Sequence, residues 1–200
     1  HKQFDTIDYT RSTPRTRDVF RIKDEINLPK GKPNIDTILY YEMTPQNLQT
    51  RLLEDSVRIT GDLHVFVLYV PVDEERRMEY LETECSIDSL VSCSGCNEQM
   101  IPDISFQPQC GTMEAKPDED GEQRILELEL PVNITMKFYE DVELSILSDA
   151  YSTACELTLS RQPVHFERLL LKTQNVIRVS EQIKADENQD KILQICTASG

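Results

Sequence analysis

Residues 126–138 alternate without a break. Leu126, Leu128, Leu130, Val132, Ile134, Met136 and Phe138 are apolar, and Glu127, Glu129, Asn133, Thr135 and Lys137 stand between them. Successive side chains on an extended strand point to opposite faces, so this period of two describes a strand with one dry face and one wet face. A helix would scatter the same apolar set around its circumference. Pro131 falls on the polar side of the pattern and lacks an N–H, which predicts an edge strand or a bulge at that point.

The same period recurs over 57–70. Val57, Ile59, Leu63, Val65, Val67 and Tyr69 share one parity, while Phe66, Leu68 and Val70 fill the other face of the second half. That half is expected to be covered on both sides. Gly61 marks a bulge or a close approach of another backbone. Further strands are expected over 20–28, 35–43, 49–54, 80–91, 142–147, 155–159 and 176–183, and 166–173 reads as a short helix or a strand. Acidic or proline-containing turns fall at 29–33, 73–77 and 118–121. The fold class that follows is all-β: antiparallel sheets packed as a sandwich, or one strongly bent sheet, with at most one or two short helices.

The composition suits a folded domain, with 38% hydrophobic and 28% charged residues. The longest apolar run, 63–72, contains His64 and is too short to span a bilayer. His1-Lys2-Gln3-Phe4-Asp5 shows neither an initiator Met nor a signal-peptide core, and the native start is expected upstream. The net charge of −15 repels nucleic-acid phosphates and anionic headgroups, so nucleic acid and membrane insertion are not expected. A basic protein, a cation or a neutral polymer is easier to accommodate.

One internal repeat organises the chain. Residues 20–26 (Phe-Arg-Ile-Lys-Asp-Glu-Ile) resemble 177–183 (Ile-Arg-Val-Ser-Glu-Gln-Ile), at an offset of 177 − 20 = 157. Residues 36–39 resemble 190–193, at 190 − 36 = 154. Their common order predicts a repeating unit of on the order of 155 residues. The expected domains are 1–16 as a linker or the end of a preceding element, 17–172 as a β module, and 173–200 as the truncated start of the next copy. A truncated copy would leave an apolar edge that promotes association.

Few constellations carry chemistry. Cys93-Ser94-Gly95-Cys96 is a C-x-x-C, and with Cys85 and Cys110 it offers four thiolates for a tetrahedral zinc. The spacing is loose, so structural thiols, a metal and a disulfide all stay open. A thioredoxin-like site would need the pair at a helix start, and this context is strand and loop. Four thiolates would also close the metal and favour structure over catalysis. Asp118-Glu119-Asp120-Gly121-Glu122 lacks the glycine that a calcium loop needs at its sixth position, where Gln123 stands, and reads as a turn. His64 and His165 lie among strand residues, with no G-x-S-x-G, H-E-x-x-H or phosphate-binding loop in the chain. Asn133-Ile134-Thr135 is a sequon in mid-strand. Asp149 and Ser152 are expected to cap a turn, and Tyr151 to bury its ring and keep its hydroxyl wet. No catalytic residue, cofactor or metal is expected, and the chain reads as a non-enzyme.

Several stretches together resemble a known domain. Arg17-Asp18-Val19-Phe20-Arg21-Ile22-Lys23, Lys32-Pro33-Asn34-Ile35, Ile59-Thr60-Gly61-Asp62-Leu63, Lys116-Pro117-Asp118-Glu119-Asp120-Gly121-Glu122 and Asp149-Ala150-Tyr151-Ser152 resemble the spore-coat-assembly (SPOCS) domain. It is found in tandem in SipL-like proteins of anaerobic endospore formers, usually ahead of a LysM module. A related domain occurs in the stage VI sporulation protein D. The resemblance implies a spore-envelope morphogenesis scaffold in the mother-cell cytoplasm at the forespore surface. It implies contact with a stage IV sporulation protein A-like ATPase through a LysM region, and no LysM sequence lies in these residues. Self-association is a further expectation. Two alternatives are a self-assembling coat or exosporium building block cross-linked through cysteines, and a peptidoglycan-associated binding module. The latter is weakened by the lack of Trp and an aromatic content of 6%.

Overall fold

The structure, a computed structural model, describes residues 1–73, 77–160, 162–173, 175 and 177–182. Every regular element among them is a β-strand. In chain order these are β1 (Lys2–Ser12), β2 (Thr16–Asn27), β3 (Ile35–Leu53), β4 (Ser56–Pro71), β5 (Glu79–Ser92), β6 (Ile101–Pro108), β7 (Thr112–Pro117) and β8 (Gln123–Ala150).

The strands form two antiparallel sheets, one of the two all-β arrangements expected from the alternation. The long strand β8 is the spine of the first: β1 and β2 pair with it in succession, and β6 and β7 also pair with it. The second sheet has the order β3-β4-β5. The dry parity of β8 is buried from Leu126 to Phe138, with Leu126, Val132 and Ile134 at 0% exposure. It joins one core with Val57, Ile59, Leu63, Val65, Val67 and Tyr69 of β4. These are the two strands whose alternation is clearest in the sequence, and each is the middle strand of its sheet.

Pro131 departs from the expectation of an edge or bulge. It lies in unbroken register with Arg21 of β2, inside β8. The Pro131 carbonyl accepts the Gln109 N–H at 2.9 Å. The N and O of one strand residue point to the same edge, so the missing N–H faces the break between β6 and β7. The proline is tolerated because its partner is interrupted there, and the β2 ladder loses nothing.

Gly61 behaves as expected of a close approach. An added Cβ would lie 2.8 Å from the Gln46 carbonyl oxygen and 3.2 Å from Leu48 Cα. The bulge is in β3, where the register shifts between Gln46 and Gln49 and Asn47 adopts a φ of 53°. That bulge explains why the expected strands 35–43 and 49–54 form one element. Likewise 126–138 and 142–147 fuse into β8. The turn at 118–121 forms as read: Gly121 has a φ of 82°, its N–H reaches the Asp118 carbonyl at 3.0 Å, and the Asp118 carboxylate takes the Asp120 and Glu122 N–H groups.

Other expectations need correction. Residues 155–159 form no strand, nor do the described residues 177–182 of the strand expected over 176–183, and 166–173 is neither helix nor strand. Tyr151 is 58% exposed and stacks on His1 at 4.9 Å instead of burying its ring. The segment expected as a linker or the end of a preceding element supplies β1, paired with the outer half of β8. Most of the turn at 73–77, both ends of the strand expected over 176–183, the 190–193 repeat and Cys196 lie outside the described residues.

Candidate functional site

The outward face of the β3-β4-β5 sheet holds the most distinctive side chains. Register places Tyr40, Leu68 and Tyr80 side by side across the three strands, then Glu42, Phe66 and Glu82, then Thr44, His64 and Glu84. Among the described residues no second layer covers this face, contrary to the expectation for Phe66, Leu68 and Val70. Leu68 and Val70 are half-buried, and only Phe66 is buried, at 2% exposure. Two neighbouring rings provide its cover. Tyr80 stacks on Phe66 at 6.0 Å and 23°, and Tyr40 leans over it at 6.3 Å and 54°. Tyr40 and Tyr80 remain 45% and 38% exposed.

Charge borders these rings. The Tyr40 hydroxyl donates to Glu42 at 3.3 Å, and desolvation, reinforced by the Glu42 carboxylate, raises its pKa above the ordinary value. His64 Nε2 lies 2.8 Å from Glu82. Lys32 Nζ sits over the Tyr80 ring at 5.1 Å while it pairs with Glu79 at 2.8 Å. A flat aromatic centre rimmed by carboxylates can take cationic and apolar side chains, or the face of a sugar ring. The sequence signal was the second filled parity of β4. That Tyr40 and Tyr80 would flank Phe66 required the register of three strands.

The C-x-x-C occupies a different place. Cys93-Ser94-Gly95-Cys96 docks on the β3–β4 turn through Asp55, whose N–H reaches the Cys96 carbonyl at 3.0 Å and whose carbonyl takes the Cys93 N–H at 2.8 Å. The Asp55 carboxylate accepts the Gly95 N–H at 2.6 Å. Both thiols are buried, and Cys96 Sγ lies 3.5 Å from the Leu53 and Ser56 carbonyls. Burial first, then the neighbouring Cys93, pushes the Cys96 thiol up to about 11. Such a thiol stays protonated at neutral pH, which makes it a poor nucleophile and a poor ligand. A cavity of about 630 Å³ lies beside this loop, lined also by Arg11, Thr13, Thr16 and Phe138.

The four cysteines considered for zinc do not converge. Cys85 sits in β5 opposite Leu63, its thiol pushed up to about 11 by burial and then by Asp24. Cys110 is exposed in the β6–β7 connection, and Cys155 is exposed after β8. Among the described residues no group of three or more His, Cys, Asp or Glu side chains could hold a metal ion. His165 is exposed, far along the chain from the ring-bearing face. No helix among the described residues is long and apolar enough to cross a membrane.

Residues 34–109, which run from β3 through β6 and include both the aromatic face and the C-x-x-C, match the family model described as SipL, SPOCS domain. No curated protein and no solved structure matches the chain.

Proposed function

Starting from a chain that carries a SPOCS domain over residues 34–109, we propose that it is a non-enzymatic scaffold of the spore envelope, a protein-interaction module that assists coat assembly at the forespore surface, in the mother-cell cytoplasm. The SPOCS family is not a known enzyme family, and it suggests a sporulation-related role. The observation that carries the interaction reading is the Tyr40–Phe66–Tyr80 face, rimmed by Glu42, Glu82 and Glu84. It lies within the matched segment, and exposed tyrosines are among the anchors that protein contacts favour. The partner that fits is a coat morphogenetic protein presenting basic and apolar side chains. A stage IV sporulation protein A-like ATPase would be reached through a LysM region outside these residues.

The test is co-purification from sporulating cells, with the wild-type chain and the Tyr40→Ala/Tyr80→Ala double variant as baits. Wild type should retain coat proteins, and the double variant should lose most of them while unfolding cooperatively. Equal retention by a folded double variant would remove this face from the reading. The same rings favour a second reading, a glycan-binding module. Titration with cortex peptidoglycan fragments separates the two, since saturable binding lost in the double variant would select the glycan.

A further inference from the structure

The outer edge of β1 is occupied, and what occupies it is informative. β1 gives one edge to β8, with Thr10 in register with Asp141. On its other edge the Thr10 N–H donates to the Glu167 carbonyl at 2.9 Å, and the Leu169 N–H donates to Thr10 Oγ1 at 2.8 Å. Only the first of these bonds is main chain to main chain; the contacts advance together along both segments, from Tyr9 against Phe166 to Thr10 against Leu169, which is the sense of parallel neighbours. The Tyr9 and Phe166 rings meet at 5.4 Å. Arg168 lies 3.8 Å from Asp8 and 3.7 Å from Asp141, and Lys172 reaches Asp103 at 2.8 Å.

The sequence identifies this neighbour. The offset of 157 that lays 20–26 on 177–183 continues upstream without a gap: Ile7 falls on Val164, Tyr9 on Phe166, Arg11 on Arg168, Arg15 on Lys172 and Thr16 on Thr173. Residues 164–169 are therefore the repeat counterpart of 7–12, the second half of β1. The contacts join true counterparts, since 166 − 9 = 157 for the ring pair and 167 − 10 = 157 for the backbone bond.

We propose that two consecutive copies of this module join edge to edge through β1, the first strand of the following copy adding in parallel to the outer edge of β1. The occupant of that edge is a second copy of this module. The resulting order is β8, β1, the next copy's first strand, then its own long strand. Parallel neighbours need a long crossover, and the whole intervening module supplies it. The joint closes an edge that would otherwise template foreign pairing, and it holds consecutive copies in a fixed relation. This deepens the scaffold reading and rests on the repeat.

The test is amide hydrogen exchange on the 200-residue chain in three forms: wild type, Thr10→Pro, and a chain whose residues 161–172 are replaced by the sequence of residues 4–15. Proline at position 10 removes the outward N–H and leaves the β8 ladder its bonds. In wild type the Thr10 and Leu169 amides should exchange at least tenfold more slowly than those of Ile177 and Val179. The Thr10→Pro chain should lose protection over 164–169 and keep it over 126–138. The replaced chain should keep Thr10 protected, because the strand now offered is the counterpart itself. A Thr10 amide as fast as Ile177 in wild type would overturn the joint, and so would loss of Thr10 protection in the replaced chain. If Thr10→Pro also lowers protection over 126–138, the replaced chain, whose β1 is untouched, decides. Coat-protein retention is not read in this experiment, so its failure stays separate from failure of the scaffold reading.

Discussion

Arg124, at the start of β8, ties the two sheets together, and its removal should have a measurable cost. The β2–β3 connection carries the chain from one sheet to the other, and Arg124 clamps it. Nη1 donates to the Lys32 carbonyl at 3.0 Å and to Asn34 Oδ1 at 2.5 Å, while Nη2 donates to the Pro29 carbonyl at 2.9 Å and, at 3.4 Å, to the Leu28 carbonyl. The two Nη1 bonds and the long one are partly buried, and the Pro29 bond is exposed. Charged hydrogen bonds contribute about 1.5–3 kcal/mol when buried, and partial exposure places these near the lower end. Counting the two Nη1 bonds in full and discounting the others, Arg124→Met should lose about 2–4 kcal/mol. Methionine keeps the apolar stem, so the loss belongs to the guanidinium. Arg124→Lys should recover less than half, because one ammonium cannot reproduce a planar fork over several carbonyls. The assay is urea unfolding with an unchanged slope, which separates lost stability from altered compactness. A loss within about 0.5 kcal/mol, the scale of an ordinary surface substitution, would refute the clamp.

Gly61→Ala should cost about 1–3 kcal/mol, because the new methyl meets the Gln46 carbonyl at 2.8 Å and the bulged backbone has little room to give; the same urea titration measures it. The Cys85 and Cys96 thiols hold their protons up to about 11 in the folded chain against an ordinary 9. The folded state therefore binds more protons between those values. Their contribution is intact below pH 9 and is lost as pH rises toward 11, so under reducing conditions Cys85→Ala should flatten the alkaline fall of Tm relative to wild type. At pH 7.5 iodoacetamide should modify the exposed Cys110 and Cys155 well before the buried Cys93 and Cys96, read by peptide mass; equal rates would refute the packing of the C-x-x-C loop. Ile134→Ala, at 0% exposure in the centre of β8, should cost about 2–5 kcal/mol.

The alternation of apolar residues over 126–138 and 57–70 determined the fold class, because side-chain parity is a local property of an extended chain. It also named the core: the buried faces of β8 and β4 are the two apolar parities, residue for residue. The 118–121 turn was legible for the same reason, its geometry being set by Asp118 and the positive φ of Gly121. Pro131 was misread because a proline reports only that one N–H is missing; which partner faces the gap depends on where β6 ends and β7 begins, many residues away. The aromatic face has the same character. Tyr40, Phe66 and Tyr80 are distant in sequence, and only the registers of β3 and β5 on β4 bring their rings together. Cys93 and Cys96 share one loop while Cys85 lies in β5 and Cys110 in the β6–β7 connection, a separation that the loose spacing left open. Parity and turn chemistry are written in neighbouring residues. Register, strand order and the company a side chain keeps are set by pairings between distant segments, which only the folded sheets decide.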